Sequence, residues 1–360
     1  MFLDSFQEVD QWMLFLSRNG VREFHLVNTN QRYELPSYVF SCLELRALTL
    51  DNCLFKPPLK FDGFFKLENL NLRDINFVAS SVRTHINLPK LKSLTLTSCT
   101  NLCNFNIKAT KLQILRVLFC PGAMLLRLLM HSQRILWVTV FIKSAIQDIV
   151  QVERINLTRI LSNLPTVSIF NGCFLKLLIA ERIPKWLPHP VNSLKRLNFF
   201  DLNFGDLDQL QGALCLLRNS PNLEKLRIDN VQRYDTRVDF KPLLRFVSFQ
   251  EPQLNDSDAG PVLTYLESPD GLDQTLNLLK IVEIENIEGS RPELHFIKLL
   301  LAHSPSLEKF TIQPCGTSLS NQVFNIAFRK KEERFNIAKD VMQFPRVSQK
   351  VEMIFLDPEP

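Results

Sequence analysis

The chain has 360 residues, of which 46% are hydrophobic and 22% charged, and its formal net charge at pH 7 is +5. This composition is typical of a folded globular protein and excludes an intrinsically disordered one. Because the charge is modest and its two signs alternate along the chain, we do not expect nucleic acid as a partner.

The first eleven residues contain Asp4, Glu8 and Asp10, and they lack the basic and apolar regions of a secretion signal. No apolar run of transmembrane length occurs anywhere in the chain. We therefore expect a cytoplasmic and/or nuclear protein that has no membrane partner and whose eight cysteines are reduced thiols.

A short apolar pattern recurs along the chain, and its clearest copy, Leu45–Cys53, has the form L-x-x-L-x-L-x-x-C. The other copies share the three leading apolar positions, and they begin at Val21, Leu67, Leu91, Leu112, Ile135, Leu175, Leu194, Leu223, Leu279 and Leu307. The first five steps along the chain are each about 20 to 25 residues, which is the period of leucine-rich repeats.

Each copy predicts one short strand, because residues two apart lie on the same face of a strand. Strands from successive repeats then stack into a parallel sheet, and one repeat alone cannot bury its apolar face. The predicted fold is therefore α/β: an irregular leucine-rich-repeat solenoid with a parallel sheet on its concave face and a C-terminal α/β cap.

Four cysteines fill the last position of the repeat, where a small side chain lies beneath a turn: Cys53, Cys99, Cys120 and Cys315. A zinc site is the alternative, since Cys99 and Cys103 have ligand spacing. No second pair and no nearby histidine completes such a site, so we expect no metal.

Several elements interrupt or follow the repeats. A helical insert is predicted at about 144–164, a helix over Leu207–Arg218, and a boundary or mobile loop in the polar stretch 250–261. Beyond it the patterns predict a helix from Pro292 to His303, a final helix over about Phe324–Gln343, and a last strand over Val351–Leu356. The predicted domains are residues 1–250, the repeat region, and residues 251–360, which continue and close the solenoid.

Two C-terminal segments, Leu299–Phe310 and Phe344–Pro358, resemble the FBD domain of plant F-box proteins. Upstream, Tyr33–Ser37, Cys53–Pro58 and Leu217–Glu224 are similar to the leucine-rich repeats of the same family. The resemblance covers nearly the whole chain, which is identified as a member of the plant F-box/FBD/LRR-repeat family. It implies a protein-interaction module like the substrate-recognition part of an SCF-type ubiquitin-ligase receptor, with an unknown protein as its substrate or partner.

Family members normally begin with an F-box, a short helical module that opens near a Leu-Pro pair and binds a Skp-type adaptor. Residues 1–30 contain neither the helices of that module nor the Leu-Pro pair. We therefore expect adaptor binding only if an F-box lies upstream. The alternatives are a ligase-independent scaffold or competitor and, from another class, a repeat protein that binds nucleic acid.

No catalytic or nucleotide-binding motif occurs, and the six histidines are scattered, so we expect no enzyme activity, catalytic residue or cofactor. The residues predicted to bind a partner lie at outward strand positions of the concave face: Asp51, Arg73, Arg116, Trp137, Phe141, Ile179, Arg196, Phe200, Arg227 and Asp229. Aromatic residues and arginine are enriched in interaction hot spots. The alternative is that the insert at 144–164 folds over the middle repeats and buries them.

Overall fold

The structure, a computed structural model, describes residues 6–29, 31–78, 84–101, 105–120, 134–141, 166–172, 186–230, 260–267, 272, 276–315 and 335–357. The chain forms two compact units, which we call unit 1 (Met1–Glu181) and unit 2 (Arg182–Pro360). The domain boundary predicted after residue 250 stays a prediction.

Unit 1 begins with helix α1 (Phe6–Arg18), and a 3-10 turn covers Ser37–Ser41. Its strands are β1 (Glu23–Val27), β2 (Tyr33–Glu34), β3 (Ala47–Asp51), β4 (Cys53–Phe55), β5 (Asn69–Arg73), β6 (Asn76–Phe77), β7 (Thr84–Asn87), β8 (Ser93–Thr97), β9 (Phe105–Lys108), β10 (Ile114–Leu118), β11 (Trp137–Phe141) and β12 (Ile169–Gly172). The main sheet of unit 1 is parallel and has the order β1-β3-β5-β8-β10-β11-β12, while β2-β4-β6 and β7-β9 form two smaller parallel sheets.

The strands of this main sheet pair residue for residue without a shift in register. We call each set of aligned residues a row, numbered 1 to 5 from the first strand residue. From β3 to β12, rows 2 and 4 are buried beneath the sheet, with leucines such as Leu50 and Leu96 fully covered. Rows 1, 3 and 5 lie on the opposite, outward face, as the alternation of a strand requires.

Four repeats of unit 1 leave their strands through a residue in the left-handed region. These corner residues are Asn52, Asp74, Ser98 and Phe119, with φ between 49° and 56°. The amide N–H of each donates to the row 5 carbonyl of the next strand, over 2.6 to 2.9 Å. The corner therefore extends the hydrogen bonding of the sheet beyond the strands and satisfies a backbone donor that would otherwise be unpaired.

Directly after these corners lie the cysteines that the repeat pattern predicts to be covered. Cys53, Cys99 and Cys120 are fully buried, and each thiol contacts the row 5 carbonyl of its own strand at 3.2 to 3.5 Å. The predicted position beneath a turn is confirmed for these three, and Cys315 is half-buried. None of the six cysteines in the described residues forms a disulfide bond.

Phenylalanine fills the interior behind the sheet. A contiguous cluster with ring centroids 4.9 to 6.4 Å apart is formed by Phe40, Phe55, Phe61, Phe64, Phe77 and Phe105. Such rings bury a large apolar area without a polar atom to satisfy. The small sheet β2-β4-β6 contributes Phe55 and Phe77 to this cluster, which ties it to the repeat core.

Unit 2 contains the parallel strands β13 (Arg196–Phe200), β14 (Lys225–Asp229), β15 (Ile281–Ile287), β16 (Lys309–Pro314) and β17 (Glu352–Phe355), paired in that order. Its helices are α2 (Leu207–Arg218), α3 (Gly260–Glu267) and α4 (Arg291–His303), and the residues 335–343 are also helical. None of the described helices has the length and apolar character that a membrane crossing requires.

Local sequence explains where the helices of unit 2 begin. The Asp206 carboxylate accepts the amide protons of Asp208 and Gln209 at 3.0 and 3.1 Å and so caps α2. Ser290 and Glu293 form a capping box at the start of α4. The predicted helices Leu207–Arg218 and Pro292–His303 are confirmed, as are the α/β class and its parallel strands.

All but one of the predicted repeat strands are present, and the remaining copy, which begins at Leu175, lies outside the described residues, as does the insert at 144–164. Strand β12 was not predicted, because Gly172 takes its row 4 position. One expectation is wrong: residue 260 begins α3, where the predicted loop extended to 261. Helix α1 within residues 1–30 was not predicted. Most of that loop, 250–259, lies outside the described residues.

Candidate interaction surface

The outward face of unit 1 is open along rows 1 and 3 and closed along part of row 5. Rows 1 and 3 are half-buried or exposed in β3, β5, β8, β10 and β11, while Thr97, Leu118 and Phe141 of row 5 are at most 9% exposed. Row 5 lies at the carboxyl ends of the strands, beside the turns into the corners. Only rows 1 and 3 therefore offer a continuous accessible surface.

Four predicted residues of unit 1 can be located on this face. Asp51 and Arg73 lie in row 5 of adjacent strands and form an ion pair with a 3.6 Å separation. Arg116 lies in row 3 and Trp137 in row 1. Phe141 is buried in row 5, which corrects its prediction as an outward contact residue.

The pair Arg116 and Trp137 is the most distinctive feature of the face. The guanidinium carbon of Arg116 lies 5.6 Å from the centroid of the Trp137 ring, which is a cation–π distance. The Trp137 indole N–H donates to Thr139 Oγ1 at 2.9 Å, and Asn171 donates to the same oxygen at 3.3 Å. These bonds fix the ring on which the guanidinium is stacked.

Two residues of rows 1 and 3, Ile169 and Asn171, were missed because β12 itself was missed. Ile169 extends row 1 beside Trp137, and Asn171, which is only 8% exposed, extends row 3 beside Thr139 at the buried end of this face. Val167 and Phe170 are three residues apart, like the first two apolar positions of the repeat pattern, and this spacing was the available signal. The predicted residue Ile179 lies outside the described residues.

In unit 2 the corresponding face is dominated by ion pairs. The Arg227 guanidinium lies 2.7 Å from Glu285 and 3.4 Å from Asp229, and the Lys225 amine lies 2.6 Å from Glu283. Glu283 and Glu285 were not predicted as site residues, although they occupy outward rows of a predicted strand.

The other predicted residues of unit 2 differ in exposure. Arg196 is exposed and Phe200 is half-buried. Asp229 is only 4% exposed and accepts a hydrogen bond from Asn286 at 2.9 Å, which corrects its prediction as an outward contact residue. A buried carboxylate needs hydrogen-bond donors around it, and the Asp229 carboxylate finds them within the ion-pair cluster.

The pKa shifts of the two arginines on these faces run in opposite directions. Burial tends to lower the pKa of Arg227, but Glu285 and Asp229 outweigh it, and the pKa rises above its usual value. Burial lowers the pKa of Arg116, and no carboxylate among the described residues offsets it. Both arginines are therefore partly buried, but only Arg227 has carboxylates beside it in the described part of the chain.

No arrangement of three His, Cys, Asp or Glu side chains suited to a metal ion occurs among the described residues. His295 and His303, which the sequence places on one helix, each direct Nδ1 to the backbone carbonyl one turn earlier, at 2.9 and 2.8 Å. The Nε2 atom of His295 also lies 3.2 Å from the Glu267 carboxylate of α3, and neither histidine belongs to a metal-binding cluster among the described residues.

Comparison with known proteins agrees with this architecture. Residues 9–228 match the family described as FBD-associated F-box protein At5g56370, LRR repeats, and residues 275–312 match the FBD family. The first match begins inside α1, so this helix belongs to the repeat region.

The chain is also similar to the F-box/FBD/LRR-repeat protein At1g13570 of Arabidopsis thaliana. The two are 29% identical over 354 residues, which cover 97% of this chain and 76% of the relative. The resemblance seen in the sequence, the predicted leucine-rich-repeat fold and the FBD domain are confirmed. The chain belongs to the plant F-box/FBD/LRR-repeat family.

Proposed function

We propose that this chain is a non-catalytic protein-interaction module that binds a protein partner through the outward face of its repeat sheet. We call the relevant part the central face and define it as rows 1 and 3 of β8, β10, β11 and β12: Ser93, Thr95, Ile114, Arg116, Trp137, Thr139, Ile169 and Asn171. The observation that carries the proposal is the stacked, half-buried pair of Arg116 and Trp137 at its centre.

The composition of the central face supports a protein partner. Trp137 is 36% exposed although it is large and apolar, and Leu136 beside it is 46% exposed. Tryptophan and arginine are the residues that most often dominate binding energy at protein interfaces. Both lie on rigid strands, so that little conformational entropy is lost when a partner binds.

The family supports the biological setting. The relative carries F-box in its name, and we infer that the partner is a substrate presented to a ubiquitin ligase. The ligase connection requires a Skp-type adaptor, which this chain binds only if an F-box lies upstream. We place the protein in the cytoplasm and/or nucleus, where such ligases act on reduced proteins.

The test is affinity purification of the full chain from plant cells, followed by mass spectrometry. We expect a specific set of proteins that is lost from Trp137→Ala and retained by Leu59→Ser, a control whose side chain is 85% exposed on unit 1 outside the central face. An identical set from both variants, or no specific protein, would contradict the proposal.

A second measurement tests the ligase connection. Purified chain and a Skp-type adaptor are mixed in isothermal titration calorimetry, and we expect no binding at micromolar concentration. Micromolar or tighter binding would show that residues 1–30 already dock the adaptor. Partner capture without any link to a ligase in cells would favour the scaffold or competitor alternative.

A further inference from the structure

Three half-buried arginines among the described residues occupy outward rows, where their charge must be balanced. Arg73 is paired with Asp51 and Arg227 with Glu285 on the neighbouring strands. Arg116 forms no ion pair and no hydrogen bond to a carboxylate within the described residues, and its guanidinium lies over the Trp137 ring. A half-buried cation without a counter-charge is costly, and proteins retain one where a ligand supplies that charge.

Among the described residues, the neighbours of Arg116 within its row carry no charge. On the central face, Arg116 is the one charged residue, and its row 3 neighbours Thr95 and Thr139 carry hydroxyl groups. Burial lowers the pKa of Arg116, which agrees with the lack of a carboxylate nearby. The guanidinium presents five N–H donors in a planar fork that matches a carboxylate in two-point geometry.

The position of the guanidinium is set before any partner arrives. The Trp137 ring lies against it, and the ring is held by the bond from its indole N–H to Thr139 Oγ1 at 2.9 Å. Beside it, Ile114, Trp137 and Ile169 lie in one row across three adjacent strands. A fixed cation therefore borders a short apolar row.

We propose that Arg116 anchors an aspartate or glutamate side chain of the partner protein, and that apolar residues next to this acidic residue pack on Ile114, Trp137 and Ile169. This inference rests on the proposed interaction function and names the chemistry of the partner. The recognised element is an acidic residue flanked by apolar ones within a segment that crosses the strands along row 1.

The test uses a random-peptide phage library selected on the immobilised full chain. We expect selected peptides to share an Asp or Glu flanked by apolar residues. Synthetic copies with Asn or Gln in place of the acid should bind at least tenfold more weakly in isothermal titration calorimetry.

Variants assign this preference to one residue. Arg116→Gln should bind the acidic and amide peptides equally, and Arg116→Lys, which keeps the charge but not the planar fork, should retain part of the preference. The control Lys108→Gln removes an exposed cation from β9 and should leave the preference unchanged. A matching urea midpoint for all variants verifies that each is folded.

Selection of peptides without an Asp or Glu, of no peptide, or of peptides bound only through a terminal carboxylate would overturn the inference. So would a preference that survives Arg116→Gln. The two proposals fail separately. If partners captured from cells depend on Trp137 but not on Arg116, the interaction function stands and the carboxylate anchor is wrong. If they depend on neither residue, both are wrong.

Discussion

The guanidinium of Arg227 lies 2.7 Å from the Glu285 carboxylate, although 58 residues separate them in the chain. Parallel pairing of β14 and β15 brings the two side chains together. Asp229, at 4% exposure, shares the same cation. The arginine is therefore the central charge of a partly buried cluster.

Replacing this cation should destabilise the protein. Arg227→Met leaves the buried Asp229 without its cation, and we expect a loss of roughly 1 to 3 kcal/mol in the free energy of unfolding. Urea denaturation measures it. The control is Lys195→Ala, whose ion pair with Glu224 is about half exposed and should contribute less than about 0.5 kcal/mol. Equal losses from both variants would contradict the special role of Arg227.

The Glu293 carboxylate should make stability depend on pH in a definite direction. It accepts the backbone N–H groups of Gly289 and Ser290 at 2.8 and 2.9 Å, yet burial raises its pKa above the usual 4.5. The native state therefore takes up a proton at higher pH than the unfolded chain. On lowering the pH from 7 toward 4.5, the wild type should gain stability relative to Glu293→Gln, which cannot titrate.

Urea midpoints of the two proteins across this pH range measure the difference. The Gln variant serves as the reference, because every other titrating group is common to both proteins. A wild-type midpoint that stays constant relative to that of the Gln variant, or that falls relative to it as the pH is lowered, would contradict the assignment.

Gly172 should tolerate no side chain. It has φ of 149°, and a Cβ atom at this position would lie 2.0 Å from the Val140 carbonyl oxygen on β11. We expect Gly172→Ala to cost about 2 to 4 kcal/mol in stability, measured by thermal unfolding. The control Gly260→Ala has open space around its Cβ and no positive φ, and it should be neutral or slightly stabilising because it lies in a helix. A larger loss from Gly260→Ala would be inconsistent with this geometry.

The cysteines should react according to their burial. Burial raises the pKa of Cys53 to about 12 and that of Cys215 to about 11, and both are fully covered. In native protein treated with iodoacetamide at pH 8, peptide mass spectrometry should find both unmodified while the half-buried Cys315 is alkylated. In urea all three should react alike. Rapid modification of native Cys53 would contradict its position in the core.

The repeat strands were predictable because each carries two inward apolar residues at a spacing of two, next to a third that precedes the strand. Strand β12 departs from this rule with Gly172 inward, and the pattern failed there. Helix α3 begins with Gly260 and Pro261, which in sequence are typical of a turn, although proline is also accepted in the first turn of a helix. Local pattern alone could not decide between the two.

The sequence predicted on which face of the sheet a site residue lies, but it did not predict which side chains that residue contacts. Strand alternation placed Arg116 and Trp137 on the outward face. The burial of Phe141 in an outward row does not follow from strand alternation, and the pairing of Arg227 with Glu285 depends on the exact register of strands far apart in sequence. Both features depend on tertiary structure and cannot be predicted from the sequence of a single repeat.

Because the register of the main sheet in unit 1 is unshifted, the inward and outward residues of each short strand have separate roles. Rows 2 and 4 decide whether a repeat stacks, while rows 1 and 3 would decide what the surface recognises under the proposed function. Exchanging Ile114 or Thr95 would then alter recognition without replacing Leu96 or Leu115, which pack beneath the sheet. A strand of this kind could acquire a new partner one substitution at a time while its fold stays the same.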